Sequence, residues 1–141
     1  MSSEVANINE RKVVLPTWLD TLIFNDLSAS YCRQNKDMVV LEWNFDDIKK
    51  YLGTYFPRSY AESFCIFSNF FSKEKYVYEN CQELSIFDFG CGTGGELIGF
   101  IIAVTKQLPN IKKITIRALD GNSYALKCLE CILEKLPKSY V

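Results

Sequence analysis

Histidine is absent from the 141 residues. Its absence excludes Ser-His-Asp and Cys-His nucleophile activation, and every metal site that needs an imidazole. Long apolar runs are lacking as well. The longest, residues 97–104, spans eight residues, against about 20 for a helix that crosses a bilayer. The opening MSSEVANINERKVV holds an acid at Glu4 and no apolar stretch, so it does not read as a secretory signal. Nor is there an excess of charge of one sign. Sixteen Lys and Arg against seventeen Asp and Glu leave a formal net charge of −1. That balance weighs against a dedicated non-specific nucleic-acid binder without excluding it. What remains is globular material: 48% hydrophobic, 14% aromatic and 23% charged residues, at a length for which one core is the default.

Six cysteines lie scattered at 32, 65, 81, 91, 128 and 131. Without a secretory signal they read as reduced thiols, which places the chain in the cytoplasm. Cys128 and Cys131 form C-x-x-C, but mid-helix, with no second pair at ligand spacing, so they are read as structural. Cys91 falls in a glycine-rich turn where a small side chain fits. The pairs Lys49-Lys50 and Lys112-Lys113 read as solvated faces.

Along the chain, residues 1–15 read as a loose polar arm. Pro16-Thr17 opens a helix with Leu19, Leu22, Ile23 and Leu27 on one face, and a polar turn follows at 34–37. Asn44 is placed to cap a short helix through about Leu52, with Asp46 and Asp47 in its first turn. Gly53 and Pro57 then predict a loop. Ser59-Tyr60-Ala61-Glu62 has the pattern of a capping box, followed by Tyr60, Phe64, Phe67 and Phe71 at helical spacing, an aromatic seam read as core. Tyr55, Arg58 and Tyr60 are candidates for a segment that closes over a bound ligand.

The second half changes character. Residues 84–89 predict a short strand, 95–107 a buried helix, 114–119 a second strand, and Leu126, Leu129, Leu133 and Leu136 the apolar stripe of a last helix stopped by Pro137. The order is β-α-β-α, which makes the strands parallel. Between the first strand and its helix stand Gly90, Gly92, Gly94 and Gly95, four glycines in six residues. Such a turn lets backbone approach a ligand, with helix N–H groups aimed at it. Gly90, Gly92 and Gly95 fit the dinucleotide pattern G-x-G-x-x-G, while Asp88, Gly90, Gly92 and Gly94 fit D-x-G-x-G-x-G. Asp88 discriminates between them: a carboxylate there repels a pyrophosphate and attracts a cationic sulfonium and ammonium. Asp120 ends the second strand, where an acid can accept from ribose hydroxyls. It lies 25 residues past Gly95, beyond the about 20 usual for the dinucleotide pattern.

Phe87-Asp88-Phe89-Gly90-Cys91-Gly92-Thr93-Gly94 resembles the first motif of the class I S-adenosylmethionine-dependent methyltransferases, and the likeness extends over residues 84–136. The resemblance implies that S-adenosyl-L-methionine is the cofactor. It further implies that Gly90, Gly92 and Gly94 line its methionine and ribose side, that Asp88 organises the amino-acid end and Asp120 the ribose, and that Gly121 and Asn122 lie near the adenine. The fold expected is α/β: an N-terminal helical segment, 1–80, then the first β-α-β-α units of a Rossmann-like methyltransferase fold in 81–141, with the sheet incomplete. The family's sheet has more strands than these two, and its fourth-strand motif has no counterpart. The chain is therefore expected to be the N-terminal part of a longer or truncated methyltransferase, inactive alone. The methyl acceptor, whether RNA, protein or small molecule, and any base are not assigned. Two alternatives stay open: an NAD(P)-binding half-domain of an oxidoreductase, and a non-catalytic subunit that completes another chain's sheet. The open sheet predicts self-association or a covering partner chain, and no membrane partner.

Overall fold

The computed structural model describes residues 13–33 and 44–140. Most of the expected polar arm and the turn at 34–37 lie outside the described residues. In chain order the elements are α1 (Thr17–Thr21), a π-helical turn (Leu22–Asp26), α2 (Phe45–Lys73), a 3-10 turn (Lys75–Tyr78), β1 (Glu83–Phe89), α3 (Gly95–Gln107), β2 (Lys113–Leu119) and α4 (Ser123–Glu134). The two strands pair in parallel, in register from Glu83 opposite Lys113 to Phe89 opposite Leu119, with α3 as the crossover. Among the described residues no helix is long and apolar enough to cross a membrane.

The front half departs from the expected three helices. α2 starts where the sequence places it: the Asp47 N–H donates to Asn44 Oδ1 at 3.0 Å, and the Asn44 N–H to Asp47 Oδ2 at 3.2 Å, a reciprocal cap. It does not stop near Leu52 but continues to Lys73, through Gly53 and Pro57. The expected loop is absent, and Ser59 and Glu62 are helix-interior residues, with Glu62 paired to Arg58 at 3.0 Å. Pro57 cannot donate to the carbonyl four residues back, that of Gly53, which costs about 3 kcal/mol in a helix interior. Burial outweighs it. Ile48, Leu52, Phe56, Tyr60 and Phe64, each four residues after the last, are all at most 1% exposed, and each such side chain contributes roughly 1.5–3 kcal/mol. Gly53 has its own tertiary reason, since the Ser30 backbone lies directly against it.

α2 and α3 pack unusually closely. A Cβ on Gly95 would lie 2.7 Å from the Phe56 carbonyl oxygen, and one on Gly99 would lie 2.6 Å from that of Tyr60. Two glycines one turn apart thus form a groove in α3 that receives the backbone of α2. The Ser63 hydroxyl, 3% exposed, fastens the contact by donating to the Glu96 carbonyl at 2.6 Å. The core is continuous across residue 80, from Leu19 and Ile23 through α2 and α3 to Ile132. The aromatic seam belongs to it: Phe67 and Phe100 meet edge to face with centroids 4.7 Å apart.

The last helix is rotated from its expected stripe. Ala125, Cys128, Leu129 and Ile132 are buried, while Leu126, Leu133 and Leu136 are half-buried at its margin and Leu136 lies beyond its end. Three small or branched residues seat the helix more closely than four leucines would. The helices cover one face of the sheet, where Leu84, Ile86, Ile114, Ile116 and Ala118 touch the core. The other face is exposed along both strands. Among the described residues Phe87, Phe89 and Leu119 leave this face open to solvent, as Ile66 and Phe70 do on α2, while α3 is covered by α2.

Candidate functional site at the turn after the first strand

β1 ends with two amides held by its neighbour: the Gly90 and Cys91 N–H groups both donate to the Leu119 carbonyl, at 2.7 and 3.1 Å. The chain then turns sharply through Gly90 (φ 75°), Gly92 (φ 52°) and Gly94 (φ 86°). All three lie in the left-handed region that only glycine enters without strain. Gly94 stands at the N-cap of α3, and among the described residues no side chain caps the helix. The N–H groups of Gly95, Glu96 and Leu97 therefore open α3 with no acceptor inside the helix, and the positive end of its dipole faces outward.

An open cleft of about 350 Å³, part of it continuous with solvent, adjoins this end. Its floor is Gly90, Cys91, Thr93, Gly94, Gly95 and Glu96, and its wall is Tyr51, Tyr55, Phe56 and Ser59 of α2. Tyr51 and Tyr55 stack at 5.0 Å, and the Tyr51 ring stands over Gly92. Of the three α2 candidates, only Tyr55 reaches the cleft. Tyr60 is fully buried, and Arg58 is turned to solvent with Glu62. Tyr51, Ser59 and Glu96 were not singled out from the sequence. The signal for the first two was their spacing: positions 51, 55 and 59 form one stripe once the helix runs through Gly53 and Pro57.

Asp120 is placed between the two turns. Its Oδ2 accepts from the Gly92 N–H at 2.8 Å and its Oδ1 from the Asn122 N–H at 2.8 Å. A carboxylate offers about four acceptor positions, so two remain after these bonds. Asn122 is 3% exposed, and its side chain caps α4, accepting from the N–H groups of Tyr124 and Ala125 at 2.9 and 3.1 Å. Gly121 is exposed beside it. Of the seven residues named from the sequence, Gly90 and Gly94 line the cleft itself. Gly92 is tied to Asp120 under Tyr51, and Asn122 faces into the protein.

The electrostatics of this end are acidic. Burial, then the charges of Glu96 and Asp120, raise the Asp88 carboxyl above its usual value of 3.8. Burial with Asp88 and Asp120 pushes the Cys91 thiol up to about 11, so it is no nucleophile at neutral pH. The Tyr51 hydroxyl is likewise raised, by burial first and Asp120 second. Among the described residues no group of His, Cys, Asp and Glu could hold a metal ion, and Cys128 is a buried free thiol. The arrangement offers backbone donors, an acidic rim and an aromatic wall to a ligand that carries both polar groups and positive charge.

The chain was compared with protein families, curated proteins and solved structures. None matches it.

Proposed function

We propose that this cleft binds S-adenosyl-L-methionine and that the chain is the cofactor-binding part of a class I methyltransferase with a Rossmann-like arrangement. The observation that carries the reading is the uncapped start of α3 behind three left-handed glycines, with Glu96 lining the cleft and the charges of Asp88 and Asp120 nearby. Backbone N–H groups suit the ligand's carboxylate. The acidic residues suit its sulfonium and ammonium, and the free acceptor positions of Asp120 suit the ribose hydroxyls. The same three acids disfavour the pyrophosphate of NAD(P), and Gly95, the third glycine of the dinucleotide pattern, is used for the contact with α2.

In methyl transfer an acceptor lone pair displaces the sulfur of the sulfonium in line, so positioning supplies most of the rate. The chain's own part is to hold the sulfonium end between the glycine turn and the Tyr51–Tyr55 wall, away from bulk water. Parallel calorimetric titrations with S-adenosylhomocysteine and with NADH test the reading. Binding of the first and not the second is expected. NADH binding with no response to S-adenosylhomocysteine would overturn it.

A further inference from the structure

The uncovered face of the sheet has an ordered composition. Reading along the strands, the outward residues face each other as Glu83 and Lys113, Ser85 and Thr115, Phe87 and Arg117, and Phe89 and Leu119. The first pair is an ion pair at 3.6 Å. Phe87, Phe89 and Leu119 are 64%, 81% and 51% exposed. One end of the face is therefore charged, the middle carries hydroxyls, and the end next to the glycine turn is apolar with a single arginine.

This order is self-complementary. Two sheets that pack face to face keep their strands within about 30° of each other, roughly 10 Å apart. If the two-fold axis runs along the strands, β1 of one copy lies over β2 of the other at the same level. Glu83 then faces Lys113 of the second copy, and Arg117 faces the ring of Phe87 of the second copy. The hydroxyls of Ser85 and Thr115 meet, and Phe89 covers Leu119 of the second copy. Every charge meets an opposite charge or the face of an aromatic ring. With the axis across the strands, the charged end of one copy would lie on the apolar end of the other, which desolvates charge without a partner. Only the first arrangement matches charge and shape. A single-stranded nucleic acid would stack on Phe87 and Phe89, but Glu83 already neutralises Lys113 and leaves Arg117 as the one unmatched cation among the described residues of the face, which is little for a phosphate backbone.

We infer that the exposed sheet face is a docking surface for a second copy of this chain, related by a two-fold axis along the strands. Eight short-reaching side chains bury less than the roughly 800 Å² per partner of a standard interface. The dimer is accordingly weak and dissociates on dilution.

Sedimentation velocity of the whole chain over a concentration series tests this. The sedimentation coefficient should rise with concentration toward that of a dimer. Phe89→Lys should raise the dissociation constant at least about tenfold, the size expected when an aromatic anchor of an interface is lost. Glu83→Lys alone should weaken the dimer, and Glu83→Lys combined with Lys113→Glu should restore it, since the swapped charges still alternate. All three side chains are solvent-facing, and circular dichroism should report an unchanged fold. A monomer at every concentration would overturn the inference. So would association indifferent to Phe89→Lys, or equal weakening by the single and the double charge variants. A monomer that binds a single-stranded oligonucleotide through Phe89 would reassign the face and overturn it too.

Discussion

The two strand-to-helix turns occupy equivalent places in the fold and are finished in opposite ways. After β2 the chain closes on itself: Asp120 takes the Asn122 N–H, and Asn122 caps α4 from a buried position. After β1 no side chain among the described residues caps the helix, three glycines adopt left-handed backbone, and a cleft lined by Gly94, Gly95 and Glu96 adjoins the start of α3. On the proposed function the N–H groups that open α3 serve the ligand, whereas those that open α4 are already taken by a side chain. The second turn also serves the first, because Asp120 Oδ2 holds Gly92 in place. The difference teaches that glycine count alone does not mark a site. Gly95 and Gly99 serve helix packing, while Gly90 and Gly92 shape the turn.

The sharpest way to break this division is to fill the packing groove. Gly95→Val would drive a branched side chain into the Phe56 backbone, and neither helix can yield without losing core contacts. A loss of about 3 kcal/mol or more in urea-unfolding stability is expected. A tolerated valine would return Gly95 to the ligand side of the comparison. Next in size is Asp120→Ala, which frees two backbone donors at once. It should cost about 1–3 kcal/mol of stability and, on the proposed function, weaken S-adenosylhomocysteine binding measured by calorimetry. Asn122→Ala removes only the cap of α4. About 1 kcal/mol should be lost, with the ligand's dissociation constant unchanged, and a large change in affinity would show that the second turn binds ligand directly.

The smallest effect is electrostatic. The Asp88 carboxyl is raised in the folded chain, first by burial and then by Glu96 and Asp120. Between the usual value of 3.8 and the raised one, the folded chain binds more protons than the unfolded chain. Stability therefore falls as pH rises through that window. Asp88→Asn should raise the thermal midpoint slightly at neutral pH and lose that advantage below the window, while binding of the cationic ligand weakens. A variant less stable at pH 7 would mean that Asp88 is held by partners that favour its charge.

Much of the second half was legible because local pattern and tertiary demand agree there. α3 spans Gly95–Gln107 as its apolar run and flanking turns require, and both strands begin within one residue of their expected starts. α2 was not, because two helix breakers sit on a stripe of buried residues whose packing outweighs them. The expected α4 stripe was one face away from the buried one, since counting leucines ignores how closely Ala125 and Cys128 let a helix approach. For the site, the glycine turn and its two acids were readable as a linear motif. Tyr51 and Ser59 join the site only because α2 runs through Gly53 and Pro57, which their local sequence argues against, whereas the capping role of Asn122 is local and was there to be read at the start of α4.

Whether the amides opening α3 receive the proposed ligand can be measured at those amides. In a nitrogen-15-labelled chain titrated with S-adenosylhomocysteine, the resonances of Gly95, Glu96 and Leu97 should shift more than those of Tyr124 and Ala125, whose N–H groups Asn122 already holds. Unmoved resonances at Gly95, Glu96 and Leu97, or larger shifts at the capped start of α4, would contradict the account.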